Sequence, residues 1–271
     1  MFNLLRMDLY RIKRSLSVYI CLAIMLSITV LGCWMIWLLG TPEGRQSAVN
    51  SGMIETELLM EELEDESNLL EGMDLLEMYR NMSMDGGFYP CIICIITSLF
   101  VCADFQSGFI KNIMSSHRNR WRYVVSKLLT MGIVNFFFTM ISFGFCFLTN
   151  ALFHMVPFTN WLDVLFYLGW AWVITTAFSS LIIAICIFTR NGAISILAAI
   201  IFSSGLLVTV LSALSSLFHL DQWVTYTLYF NMTYGPSSYS GIGDLRIFGI
   251  GLAFLVLYTI IASIVLSKKD I

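Results

Sequence analysis

DFQSGFIKNIMSSHRNRWRYVVSKLL, residues 104–129, is a basic island between two apolar runs. It carries Lys111, Arg118, Arg120, Arg122 and Lys127, five of the fifteen lysines and arginines of the 271-residue chain. Its meaning depends on what flanks it. The chain is 58% hydrophobic and 12% charged, with a mean hydropathy of +0.81. Soluble domains carry about a quarter charged residues, and a soluble chain this poor in charge could not cover its surface. About 20 apolar residues in helical form cross a hydrocarbon core of roughly 30 Å. Six runs approach or meet that need, the second of them short, at 17–39, 88–103, 123–150, 164–189, 193–217 and 247–266.

The runs are continuously apolar and lack the period-two alternation of barrel strands, so they are read as helices. The fold class expected is an all-α integral membrane protein with six transmembrane helices. The fourth and fifth are separated only by Arg190-Asn191-Gly192, a tight turn. The first run is too long for a cleaved signal peptide, and it ends in bulky Cys33, Trp34 and Trp37.

Charge orients the bundle. Segments 1–16, 104–127, 190–192 and 267–271 hold twelve of the fifteen basic residues, and the opposite set keeps Arg45, Arg80 and Arg246. Loops on the inner side carry the lysine and arginine excess, so both termini and the segment 104–122 are expected to be cytoplasmic. Residues 1–16 form a basic amphipathic helix with an apolar stripe at Phe2, Leu5, Leu9, Ile12 and Leu16. Arg6, Arg11, Lys13 and Arg14 supply its charge, which suits it to lie in the inner interface.

Two outer segments follow. Residues 40–87 hold twelve acids against Arg45 and Arg80, and the proline-free stretch 54–80 is rich in helix formers. Glu61, Glu62, Glu64 and Glu66 make it a candidate attractor for cationic molecules, against the plainer reading of a solvated acidic helix. Residues 218–245 carry helically spaced Trp223, Tyr226 and Phe230, as aromatics at a membrane boundary do.

Much chemistry is absent. With Asp104 and Lys127 read as standing at span boundaries, the spans hold no Asp, Glu, Lys, Arg or His, and Asn135 is their most polar side chain. Coupled secondary transporters keep ionisable relays at membrane depth. No nucleophile–base pair, metal motif or G-x-x-x-x-G-K-[ST] phosphate loop is present, so catalysis and ATP binding are not expected on this chain. The seven cysteines fall within apolar runs, where packing is their default role. The many span hydroxyls are read the same way.

Asp104 ends the second run. Gly108, Phe109, Ile110, Ile113, Ser115, Arg118 and Arg120 follow, and Lys127-Leu128 opens the third. In this order of residues the sequence resembles the ABC type-2 permeases, the membrane subunits of bacterial exporters. The family's frequent proline in the serine turn is missing. The resemblance extends to the N-terminal helix, the six spans and the Lys268-Lys269-Asp270-Ile271 ending. It implies a multi-pass protein of the bacterial plasma membrane, paired with a second copy or a related permease and with an ATP-binding cassette subunit that holds ATP and Mg. It also implies that 104–122 docks on that subunit, helped by Phe2, Arg6, Leu9, Arg11, Ile12 and Arg14. An amphiphilic cargo, a cationic peptide or a lipid-like molecule, is expected, as in antimicrobial-peptide resistance exporters, with no nucleic acid partner. The alternatives are a membrane-anchored sensor or scaffold with a ligand-binding acidic segment, or a secondary transporter.

Overall fold

The computed structural model describes residues 2–50, 72–116, 120–217 and 221–268. Arg118, Glu61, Glu62, Glu64, Glu66 and the side chains of Ser115 and Trp223 lie outside the described residues. In chain order the helices are α1 (Phe2–Arg14), α2 (Leu16–Gly40), α3 (Pro42–Asn50), α4 (Leu75–Ser83), α5 (Phe88–Gln106) and α6 (Phe109–Ser116). They continue with α7 (Trp121–Phe153), α8 (Trp161–Thr189), α9 (Gly192–Ser203), α10 (Leu206–Leu217), α11 (Leu228–Thr233) and α12 (Arg246–Lys268). Five described helices are long and apolar enough to cross a bilayer.

The fifth span is not one helix. α9 and α10 meet at a bend of 58° across Ser204-Gly205, and only together do they make a sixth span. Gly205 turns the chain at φ +75°, and Tyr229 lies where its Cβ would stand, 2.2 Å from the ring Cζ. A glycine in the left-handed region is how a chain changes direction without a side-chain clash.

α8 is the spine. It packs along α12 and also against α5, α7 and α9, which explains why most of its length is buried. Hydroxyls on the spans mainly bond their own helix: Thr97 to the Ile93 carbonyl at 2.7 Å, Thr130 to Ser126 at 2.7 Å, Thr175 to Ala171 at 2.7 Å. Asn135 is the exception that reaches across. Tyr89 of α5 donates to its Oδ1 at 2.9 Å, and its Nδ2 faces the Thr175 and Thr176 hydroxyls of α8 at 2.7 and 2.9 Å. Three spans are thus joined at one fully buried side chain. Interhelical hydrogen bonds in membranes average about 0.6 kcal/mol and reach about 1.7. Tyr89→Phe is therefore expected to cost an amount in that range, and Asn135→Leu clearly more, as read from unfolding midpoints in one detergent.

At the end of the bundle away from α1, α4 departs from the plain solvated acidic helix. Its Leu75, Leu76, Met78 and Tyr79 are fully buried. Tyr79 stands edge-on to Phe143 of α7 and Tyr167 of α8. Asp74 caps the helix by accepting from the Glu77 amide at 2.8 Å, and Arg80 donates to the Thr233 carbonyl of α11. A period near 3.6 turns the apolar residues of α4 in and leaves Glu77 and Arg80 half-buried. Below α4, the 3₁₀ turn Asp85–Gly87 leads into α5 through two left-handed glycines, Gly86 and Gly87. Near the start of α12, the Ser240 hydroxyl and amide and the Gly241 amide bond Asp244, which holds its carboxyl below the usual range.

Candidate functional site: a buried ionic clamp

The side chains that converge with most charge lie where α1, the end of α5 and the start of α7 meet. α7 has 33 residues, about 50 Å at 1.5 Å per residue, well beyond the roughly 30 Å of a hydrocarbon core. Its second turn, with Lys127, therefore has room to lie at the boundary of the apolar layer. Lys127 is fully buried all the same. Its ammonium sits 2.8 Å from Asp8 Oδ1 and 2.7 Å from Asp104 Oδ2. Arg11 lies 2.7 Å from Asp104 Oδ1 and 4.0 Å from Asp8. The Arg11–Asp104 contact is short but not aligned as a hydrogen bond, so charge rather than direction holds it.

Neutral groups complete the shell. Tyr123 donates to Asp104 Oδ2 at 3.0 Å and Ser126 to Asp8 Oδ2 at 3.1 Å. The Lys127 ammonium lies 4.0 Å from the Phe100 ring centre, and the Arg11 guanidinium 4.7 Å from that of Phe109. Two carboxylates and two cations balance to zero. That balance is what allows such a cluster to be buried, because an unpaired ion in a low-dielectric site costs several kcal/mol. The cluster ties the N-terminal helix, the exit of one span and the entry of the next into one joint.

Of the residues singled out in the sequence, Arg11, Asp104, Phe109 and Lys127 come together here. Gly108 makes the left-handed turn (φ +67°) between α5 and α6. Ile110 and Ile113 are buried within this chain, at 2% and 7% exposure, whereas Lys111 is exposed. Arg120 reaches the far terminus of the fold, donating to the Leu266 and Ser267 carbonyls at the end of α12 at 2.9 and 3.1 Å. A cation beside the last carbonyls of a helix satisfies them and the helix dipole. Arg120→Met is expected to speed amide exchange in the last turn of α12 and leave the rest of the bundle unchanged, as hydrogen-exchange mass spectrometry would show.

Asp8, Tyr123 and Ser126 were not singled out, although Asp8 is at the centre. The inward face of α1 is Leu4, Asp8 and Ile12, while Phe2 and Leu16 of the expected stripe are 86% and 73% exposed. Leu9 is half-buried, Arg6 is exposed, and Arg14 lies over Tyr10 at 4.8 Å. The signal was available: Leu4, Asp8 and Ile12 recur at i, i+4 and i+8, and an acid in that row of a basic helix points to a cation opposite. Tyr226, at the other end, is 54% exposed beneath the Arg246 guanidinium at 4.7 Å.

Multi-pass apolar helices joined at one end by this clamp define a helical membrane protein. No group of three or more His, Cys, Asp and Glu side chains that could hold a metal ion occurs among the described residues. The chain belongs to the ABC-2 transporter family: the profile described as ABC-2 family transporter protein matches residues 4–205. No curated protein matches it. It is thus a membrane permease subunit of an ABC transporter, a component that works with an ATP-binding cassette partner.

Proposed function

We propose that this permease exports an amphiphilic cargo, with ATP and Mg held by the partner subunit and with a second permease copy or a related permease across the membrane unit. α1 and α6 lie at the cytoplasmic face in this reading, as the basic residues of 1–16 and 104–127 favour. The observation that carries it is the clamp. A partner that pushes on the turn between α5 and α7 moves spans only if that turn is rigidly joined to them. The Asp8–Lys127–Asp104–Arg11 cluster supplies that joint and enlists α1. Export of cationic amphiphiles is favoured by the acidic segment between the first two spans.

The test is purification in mild detergent from the native membrane, scored for nucleotide-dependent ATPase activity in the eluate. Wild type should bring down an ATP-binding subunit, and Lys111→Glu on the exposed side of α6 should lower its yield at least tenfold. Asp8→Asn keeps Lys127 paired with Asp104. It should retain the complex and its ATP hydrolysis while lowering transport several-fold. No ATPase subunit under any condition would remove the exporter reading. The cargo is tested separately. Neutralising Glu61, Glu62, Glu64 and Glu66 to Gln should lower cellular tolerance to cationic peptides at equal expression, and unchanged tolerance would discard the charge argument.

A further inference from the structure

An apolar cavity of about 250 Å³ lies against the break in the fifth span. Its walls come from five helices: Phe178 of α8, Phe202 of α9, Val208 and Leu211 of α10, Phe254 of α12, and Tyr229 of α11 at the hinge. Among the described residues, no charged side chain lines it. Its polar atoms belong to Thr227, Tyr229 and Tyr258. Apolar cavities stay dry and admit apolar molecules, and one of about 150 Å³ takes a benzene ring. A charged headgroup would lose its hydration here without a partner, whereas a hydrocarbon chain loses nothing.

We propose that this cavity binds the hydrocarbon chain of the amphiphilic cargo, and that the angle between α9 and α10 reports its occupancy. The proposal rests on the reading above and names the part of the cargo that the permease recognises. Phe202 precedes the bend, and Val208 and Leu211 follow it, so a chain in the cavity touches both arms. Tyr229 lines the same cavity and fills the space that the missing side chain of Gly205 leaves. A ligand that displaces this ring acts directly on the hinge. Such a ligand shifts the bend because it contacts the two arms differently in the two states, which is the requirement for any population shift.

The experiment uses the full chain in phospholipid nanodiscs, without its partner, so its outcome is independent of ATPase co-purification. The probe is a diazirine-bearing dodecylammonium amphiphile, and the control is a phosphatidylcholine with the diazirine in its acyl chain. Cross-links of the first probe should map to α8, α10 and α12 around the cavity. Val208→Trp should lower them at least tenfold. Phe254→Ala, which enlarges the cavity, should shift preference to a longer chain. Spin labels at exposed Ile194 and Leu214 should change separation on adding the amphiphile and not in Val208→Trp. Equal labelling by the phosphatidylcholine probe would make the cavity an ordinary lipid-filled gap and overturn the proposal. So would labelling indifferent to both variants, or an unchanged spin–spin distance.

Discussion

Lys127→Met should destabilise the permease by about 3–5 kcal/mol, the usual loss when one partner of a buried ion pair is removed. Methionine matches the length of the lysine stem, so packing is nearly kept and charge is what changes. Asp8 and Asp104 would then share one cation, Arg11, which stands 4.0 Å from Asp8. The measurement is the thermal midpoint by fluorescence-detected size exclusion. The same reasoning predicts a rescue. Adding Asp8→Asn returns the cluster to one acid and one base, Asp104 with Arg11, and should recover at least half of the lost stability. A double variant no more stable than the single would show that shape, not charge balance, holds the joint. Replacing all four ionic residues with apolar ones of similar volume should cost far less than the single change, because no ion would then be left unpaired.

Gly87→Ala should be nearly as damaging, and its neighbour supplies the control. Gly86 and Gly87 both have left-handed backbones, at φ +76° and +73°. A side chain at Gly86 would meet nothing within 4 Å, while at Gly87 its Cβ would lie 1.6 Å from the Ser203 carbonyl oxygen. Gly86→Ala therefore carries only the conformational cost, about 1–2 kcal/mol. Gly87→Ala adds the displacement of backbone from backbone, since no rotamer can relieve a contact with a carbonyl. Its midpoint should fall well below that of Gly86→Ala. Equal midpoints would mean that the contact between the start of α5 and the end of α9 yields freely.

The long apolar helices were legible because a lipid-crossing helix must be apolar around its whole circumference, and nothing in water requires that. The break in the fifth span was hidden for the same reason. Ser203-Ser204-Gly205 lies in an apolar run, and such small residues are ordinary in spans, where they also mark helix contacts. What decides the bend is the Tyr229 ring at Gly205, 24 positions away in sequence. The burial of Tyr79 was obscured by the acids before it, because net charge describes a segment and burial describes one face. The clamp was half visible. Asp104 and Lys127 stood out in the basic island and Arg11 in the basic N-terminal helix, but their pairing needs a face of α1 that the apolar stripe did not mark. Phe2 and Leu16 are apolar and exposed, and Asp8 is charged and buried, so hydrophobicity alone does not mark the face that packs on α7.

The clamp also imposes an order on biosynthesis. Asp8 and Lys127 are 119 positions apart, and Asp8 is made first. At about 5–20 residues per second, the ribosome needs roughly 6–24 s to reach the lysine. During that interval two spans enter the membrane while α1 holds a carboxylate that has lost neither its charge nor its need for water. Arg11 can meet Asp104 once the second span is in place, but both carboxylates are matched by cations only when the third span brings Lys127.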